Sequence, residues 1–502
     1  MPIFDQPLIL AVAALYLVAV LGIGAWAARR TRSSRDFFIA GQRIGLWVTA
    51  FATMSAAFSG FVFLGGPGLT YRIGISSLLI TVSVSFTAAM LCWTLAKRLR
   101  LLAEVREIFT IPDVIEARFG SRKAAGLAAV AILVASVGYL GAQLQAAGII
   151  VESLLGTDQW FGEWSLLVAM AIGLAVVLAY AVAGGMVAGV YTDLLQGILM
   201  LTAALGVFYY ALRSGGGLES MARRIVASEE FGPRFLDPLG NVPALTALGF
   251  FFLFSIGTLG QPHMLHKFLM LDDPRKLKWM PLVIGGSQSL CILVWLGIGL
   301  AVPALVASGE MAPLENPDHA APLFLLRFTP GLLAGAVFAA ILAAIMSTAD
   351  SFLNIGSAAI VRDLPRSLGR RVRNELRWSR VGVAVIGLVS AVFAWLYDDL
   401  IALLGTFAFG TFAAALAPTL VIGLNWKGVT ARAATASIAT GFFANLGLET
   451  VRRLGGLESL GFAPGILPGA VALLASFSVL LVVSWLDRPS ALDEDVEAVM
   501  EM

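Results

Sequence analysis

Thirteen apolar runs follow one another along this chain, each close to or above the roughly 20 residues a helix needs to cross a bilayer. They fall near 7–28, 46–71, 74–97, 123–153, 163–183, 186–212, 243–268, 280–306, 328–361, 379–397, 399–423, 429–448 and 464–486. Inside lipid every backbone N–H and C=O has to find a partner within the protein, and uninterrupted apolar runs of this length do that as helices. Charged residues make up 13% of the chain against about 25% in soluble domains. An all-α polytopic membrane bundle of about 13 spans is expected.

The run from Gly331 to Val361 carries a polar stripe. Ala344, Ser347, Thr348 and Ser351 recur at i, i+3, i+4 and i+7, so they share one helical face. Ser347, Asp350, Ser351 and Asn354 repeat that spacing one step round. An aspartate at mid-membrane depth costs about 2.5–3.5 kcal/mol on insertion scales. Hydroxyls and a carboxylate on one face are hard oxygen ligands, suited to a hard cation. Asp193, in Tyr191-Thr192-Asp193, stands near the start of another apolar run, where a helix-capping role and an ion role are both open.

The loops give an orientation. Basic residues gather after odd-numbered runs: Arg29 to Arg35, Lys97 to Lys123, Lys267 to Lys278 and Arg362 to Arg377. Acidic residues mark several loops after even-numbered runs, among them Asp158, Glu163, Glu310, Glu315, Asp398 and Asp399. Cytoplasmic loops carry the excess of Lys and Arg. This reading places the N-terminus outside and the C-terminus, with Glu494 to Glu501, in the cytoplasm. The first run, Pro7 to Ala28, reads as a retained span, since no basic stretch precedes it. Cys92 and Cys291 both lie in apolar runs and read as free thiols. His263, His266 and His319 have no i, i+4 metal-pair spacing.

Two apolar runs are interrupted. One holds Ser55-Ala56-Ala57-Phe58-Ser59-Gly60 followed by Gly65-Gly66-Pro67-Gly68. The other, five spans later, holds Ser255 to Gly260 followed by Gln261-Pro262-His263. Interruptions at corresponding positions in two halves point to an inverted repeat with a binding site at its interface, where unwound carbonyls face a cation.

With Ser59-Gly60, Gly65 to Gly68, Tyr191-Thr192-Asp193, Gly260 to His263 and Ala343-Ala344-Ile345-Met346-Ser347-Thr348, the chain resembles the bacterial branch of the sodium/solute symporter family over roughly residues 8 to 425. The resemblance implies a leucine-transporter-like core of five-plus-five inverted repeats with breaks in spans 2 and 7. The corresponding division is an extra helix and cytoplasmic loop at 1–45, repeats at 46–213 and 243–425, an extracellular loop at 214–242, extra helices at 426–488 and a cytoplasmic tail at 489–502. It implies sodium as the coupling ion, held by carbonyls of Ser55, Phe58 and Ala344 and hydroxyls of Ser347 and Thr348. A second cation would use Asp193, Asp350 and Ser351 with Ser347.

Substrate-binding positions implied in the same way are Ser59, Gly60, Tyr139, Phe254, Thr258 and Gln261. Gly260 to His263 with Tyr139 resembles the family's proline permeases. Ala57 departs from them, standing where they carry an aspartate, and Phe254 and Thr258 stand where they carry an aromatic pair. The function expected is sodium-coupled symport of a small organic solute, an amino acid such as proline or a short monocarboxylate, across the bacterial inner (plasma) membrane by alternating access. A proton-coupled or sodium-independent carrier and a transporter-like sensor are the alternatives. The expected partners are the solute, sodium and the lipid bilayer. A net charge of +2 gives no bulk attraction to nucleic acid, and no obligate protein partner is expected. No His-Glu-x-x-His or Gly-x-Ser-x-Gly motif is present, so no enzyme is expected.

Overall fold

The computed structural model describes residues 7–397, 399–488 and 491–502. Asp398, one of the expected acidic loop markers, lies outside the described residues, as do the start of the segment at 1–45 and of the tail at 489–502. Among the described residues ten helices are long and apolar enough to cross a membrane, and two bent helix pairs raise the number to as many as twelve. Ala431–Leu454 is a further 24-residue helix, but Arg432, Glu449, Arg452 and Arg453 lower its apolar character. Among the described residues the backbone forms no strand beyond an isolated bridge between Ile44 and Leu271.

Burial orders the bundle. Of the most apolar stretch of Gly331–Ser367, 78% is buried, and of Ile401–Gly423, 83%; in Pro7–Ala28 only 28% is. The first two are therefore central, and the last is peripheral with its side chains turned outward, as a lipid-facing helix requires. The central helices are rich in alanine and glycine, which let backbones approach closely.

The two bends have local causes. Between Leu46–Ala57 and Phe61–Ile73 the axis turns by 48°. There Phe58 is extended (φ −101°, ψ 111°) and takes its carbonyl out of the helical ladder. Between Ala244–Gly260 and Pro262–Phe268 it turns by 41°. There Gln261 is extended (φ −81°, ψ 105°), as a residue before proline prefers, and Pro262 has no N–H to continue the ladder. The backbone ties one pair to the other: the Ile44 N–H donates to the Met270 carbonyl at 3.1 Å, and the Asp272 N–H to the Ile44 carbonyl at 2.9 Å. A third break falls at Gly185, whose φ of +53° interrupts the run Ser165–Gly215. That left-handed geometry is free only to glycine.

The candidate ion and solute site

The helix Gly331–Ala358 and the bend at Phe58 meet at buried oxygens. Ser55 Oγ donates to Ser347 Oγ at 2.9 Å, and Thr348 Oγ1 reaches the Ala56 carbonyl at 3.5 Å. In an uninterrupted helix that carbonyl would accept from the Gly60 N–H. The Gly60 N–H instead donates to Gln143 Oε1 at 3.0 Å. The bend therefore takes the Ala56 carbonyl out of the helical ladder and leaves it facing the Thr348 hydroxyl and the His263 ring, which hydrogen-bonds to it. Ser55, Phe58, Ala344, Ser347 and Thr348 are all 1% exposed or less. The oxygens here are hydroxyl and carbonyl, the set a hard alkali cation takes. Among the described residues no three His, Cys, Asp or Glu side chains converge as a softer or higher-charge metal would need.

One turn further along lies a buried charge cluster. Lys267 Nζ sits 2.8 Å from Asp193 Oδ2, and Ser347 Oγ donates to Asp193 Oδ1 at 2.5 Å. Ser347 thus joins the two groups of oxygens. Asn354 Nδ2 donates to Asp350 Oδ1 at 3.1 Å, while Asp350 Oδ2 is buried and unpartnered. That oxygen packs against Gly189, where any Cβ would collide with it. Ser351 Oγ donates back to the Ser347 carbonyl at 3.1 Å.

Two expectations change here. Asp193 lies inside the helix Gly185–Gly215 and is fully buried, so it is not a surface cap. Lys267 is not a loop residue: it is fully buried in the second arm of a bent pair, with its charge matched by Asp193. The sequence signal for it was a lysine with only apolar neighbours and histidines before it, five residues from the nearest acid.

The expected solute-binding residues divide into two groups. Ser59 Oγ and the Tyr139 hydroxyl are 3.5 Å apart, beside Gly60 and Gln143. Tyr139 stacks on Phe352 with ring centroids 4.7 Å apart, and His263 packs on the same phenylalanine at 4.5 Å. On the other side Phe254 stacks between Phe409 and Phe61, at 4.2 and 5.6 Å. Thr258 Oγ1 is committed to the Phe254 carbonyl at 2.5 Å. Gln261 Nε2 donates to the Gly257 and Phe409 carbonyls, which leaves its Oε1 buried and unpartnered. Gln143 Nε2 is likewise unpartnered. Gln143, Phe352 and Phe409 were not singled out in the sequence. For Gln143 a signal existed, an amide in the middle of an apolar helix.

These features define an ion-coupled membrane transporter, and comparison with known proteins gives its family. The sequence model of the sodium:solute symporter family matches residues 37–441, and the chain belongs to that family. It is similar to the high-affinity proline transporter of Bacillus subtilis, 30% identical over 483 residues, covering 92% of this chain and 96% of that one. It is 27% identical over 474 residues to the sodium/pantothenate symporter of Escherichia coli, covering 92% and 94%. Among solved structures, a Na+-coupled sialic acid symporter in a substrate-bound outward-open state superposes with a TM-score of 0.77 at 18% identity, covering 97% of this chain and 99% of that one. A nucleobase-cation-symport-1 family transporter superposes at 0.56 and 13% identity, covering 94% and 99%. The protein is a multi-pass plasma-membrane transporter that carries out sodium-coupled symport of a small solute.

Proposed function

We propose that the solute is a small carboxylate-bearing molecule, an amino acid such as proline or a short monocarboxylate, and that it enters the cell with sodium bound between the first bend and the helix Gly331–Ala358. The single observation that carries the ion assignment is the meeting of Ser55, Ser347, Thr348 and the Ala56 carbonyl. Sodium on the carbonyls of Ser55, Phe58 and Ala344 and the hydroxyls of Ser347 and Thr348 would tie the bend to the central helix.

On this reading the two bent pairs are broken spans of an inverted five-plus-five repeat, 46–213 and 243–425, within thirteen spans that start outside and end in the cytoplasm. Relatives named for proline and pantothenate transport both handle a carboxylate-bearing solute, which supports the substrate class. The unpartnered Gln143 Nε2 and the Tyr139 hydroxyl supply donors for a carboxylate, and Gln261 Oε1 supplies an acceptor for an amine. On this reading Ser59, Gly60, Phe254 and Thr258 complete the solute contacts.

The driving force is sufficient with one sodium. A charge moving through about 100 mV releases about 2.3 kcal/mol. A tenfold sodium gradient adds about 1.4 kcal/mol. Together they support roughly 500-fold accumulation of a neutral solute. A second cation at Asp193, Asp350 and Ser351 requires Lys267 to give up its hold on Asp193.

The test is uptake into proteoliposomes of a panel of amino acids and short carboxylates, with and without an inward sodium gradient. Accumulation of one class that collapses without sodium is the expected result. Uptake indifferent to sodium would remove the ion assignment.

A further inference from the structure

Away from the transport pathway, six arginines surround a cavity of about 790 Å³. Arg29, Arg30, Arg32 and Arg35 come from the segment after the first span, Arg43 from the corner that follows, and Arg100 from the end of Ile75–Val105. Only Arg100 meets a carboxylate side chain among the described residues, Glu104 at 3.2 Å. Arg35 donates to Gln42, and Arg30 lies over the Trp26 ring at 4.4 Å. Asp36 is the one acid in the wall, and its Oδ2 is taken up by the N–H groups of Arg32 and Ser33 and by the Ser33 hydroxyl.

The tendency of basic residues to collect in cytoplasmic loops explains their sign but not their convergence from three segments around one space. A neighbouring cavity provides a contrast. It is also lined by arginines, of which Arg362 pairs with Asp113 and Glu375 and Arg366 with Asp113 and Glu116, while Arg370 and Arg371 meet no carboxylate among the described residues. Where arginines tie separate segments of this chain together, as Arg362 and Arg366 do, it supplies the acids. Among the described residues it supplies none to the side chains of Arg29, Arg32 and Arg43. Guanidinium forks match phosphate oxygens two at a time, and the cavity is of ligand size, within about 300–1,000 Å³. Trp26 and Trp47, 38% and 62% exposed, flank the segment as interfacial tryptophans do, which puts the cavity at headgroup level.

We propose that this cavity binds a phosphate-bearing anion, an anionic phospholipid headgroup or a free phosphate, gripped by Arg29, Arg32 and Arg43. The full-length protein purified in neutral detergent is titrated with phosphatidylglycerol, phosphatidylcholine or inorganic phosphate, and thermal unfolding is followed. Phosphatidylglycerol is expected to raise Tm while phosphatidylcholine does not. The R29Q/R32Q/R43Q variant is expected to need about tenfold more phosphatidylglycerol for the same shift. R275Q/R373Q/R377Q, which removes equal charge outside both cavities, keeps the wild-type response. R29K/R32K/R43K, which keeps the charge and loses the forks, is expected to fall between and guards against misfolding of the glutamine variant. A shift with phosphatidylglycerol alone identifies a lipid headgroup, and an equal shift with inorganic phosphate a free anion; either supports the site. No shift with any anion, or equal weakening in the two glutamine triples, overturns it.

Discussion

The Lys267 ammonium and the Asp193 carboxylate stand 2.8 Å apart with neither side chain more than 1% exposed. The pair joins the second arm of one bent helix to the long helix Gly185–Gly215, with both side chains buried in protein. Such a pair is tolerated because each charge answers the other, and loss of one partner strands its mate. Through Ser347, which donates to Asp193 and accepts from Ser55, the pair is in hydrogen-bond contact with the oxygens proposed for sodium. Ion binding at one group and the charge balance at the other are therefore mechanically linked.

Removing either partner alone should destabilise the protein strongly, and removing both should not. Lys267→Met or Asp193→Asn is expected to cost about 3–5 kcal/mol, the usual penalty for a stranded buried charge. The double substitution should recover most of the loss. Thermal unfolding of the three variants in detergent measures the coupling. A double variant as unstable as the sum of the single ones would mean that the two side chains act independently.

Ser347→Ala and Thr348→Ala remove hydroxyl oxygens at the junction with the first bend. Each is expected to raise the sodium concentration for half-maximal uptake by roughly tenfold, about 1.4 kcal/mol of lost ion binding. Solute affinity at saturating sodium should change by less than about threefold. Sodium titrations of initial uptake rate, at fixed solute, separate the two. If solute affinity shifts as much as sodium affinity, these hydroxyls contact the solute instead.

Much of the architecture was legible because lipid simplifies the code. A long apolar run has one stable conformation in a bilayer, and the 3.6-residue period that placed Ala344, Ser347, Thr348 and Ser351 on one face needs nothing beyond a helix. The bends were readable at Phe58 to Gly60 and at Gln261-Pro262 because glycine and proline act locally. Partnership across the bundle was not readable. Lys267 looked like the start of a basic loop because its acid lies 74 residues earlier in the chain. Gln143 gave no hint of capturing the Gly60 N–H, 83 residues away. Ala431–Leu454 marks the opposite limit, since its four charged residues blur a span that length alone would suggest.

Asp350→Asn tests whether the unpartnered carboxylate takes part in charge transfer. Asparagine fits the same space and keeps a partner for Asn354. If Asp350 shares a second cation with Asp193 and Ser351, the variant should move about one charge fewer per solute. The reversal potential of solute-driven current in proteoliposomes reads that number. An unchanged charge-to-solute ratio would make Asp350 a structural residue.

Asp318 sets a pH dependence outside the spans. Its Oδ2 accepts the Ile401 N–H at 3.0 Å, at the start of the central helix Ile401–Gly423. Its pKa is raised from 3.8 to about 6, chiefly by burial; the Ile401 hydrogen bond and Arg72 act against the rise and the nearby Asp399 adds to it. The folded protein therefore holds this proton more tightly than the unfolded chain does. The stability it contributes is full below pH 3.8 and is lost as pH rises through about 6. The difference between those values is worth about 3 kcal/mol in total. Asp318→Asn keeps an acceptor for Ile401 and removes the titration. The gap in Tm between wild type and variant should therefore move in the variant's favour between about pH 4 and pH 6.5, then level off. A gap that stays constant across this range would mean that Asp318 titrates alike in the folded and unfolded chains.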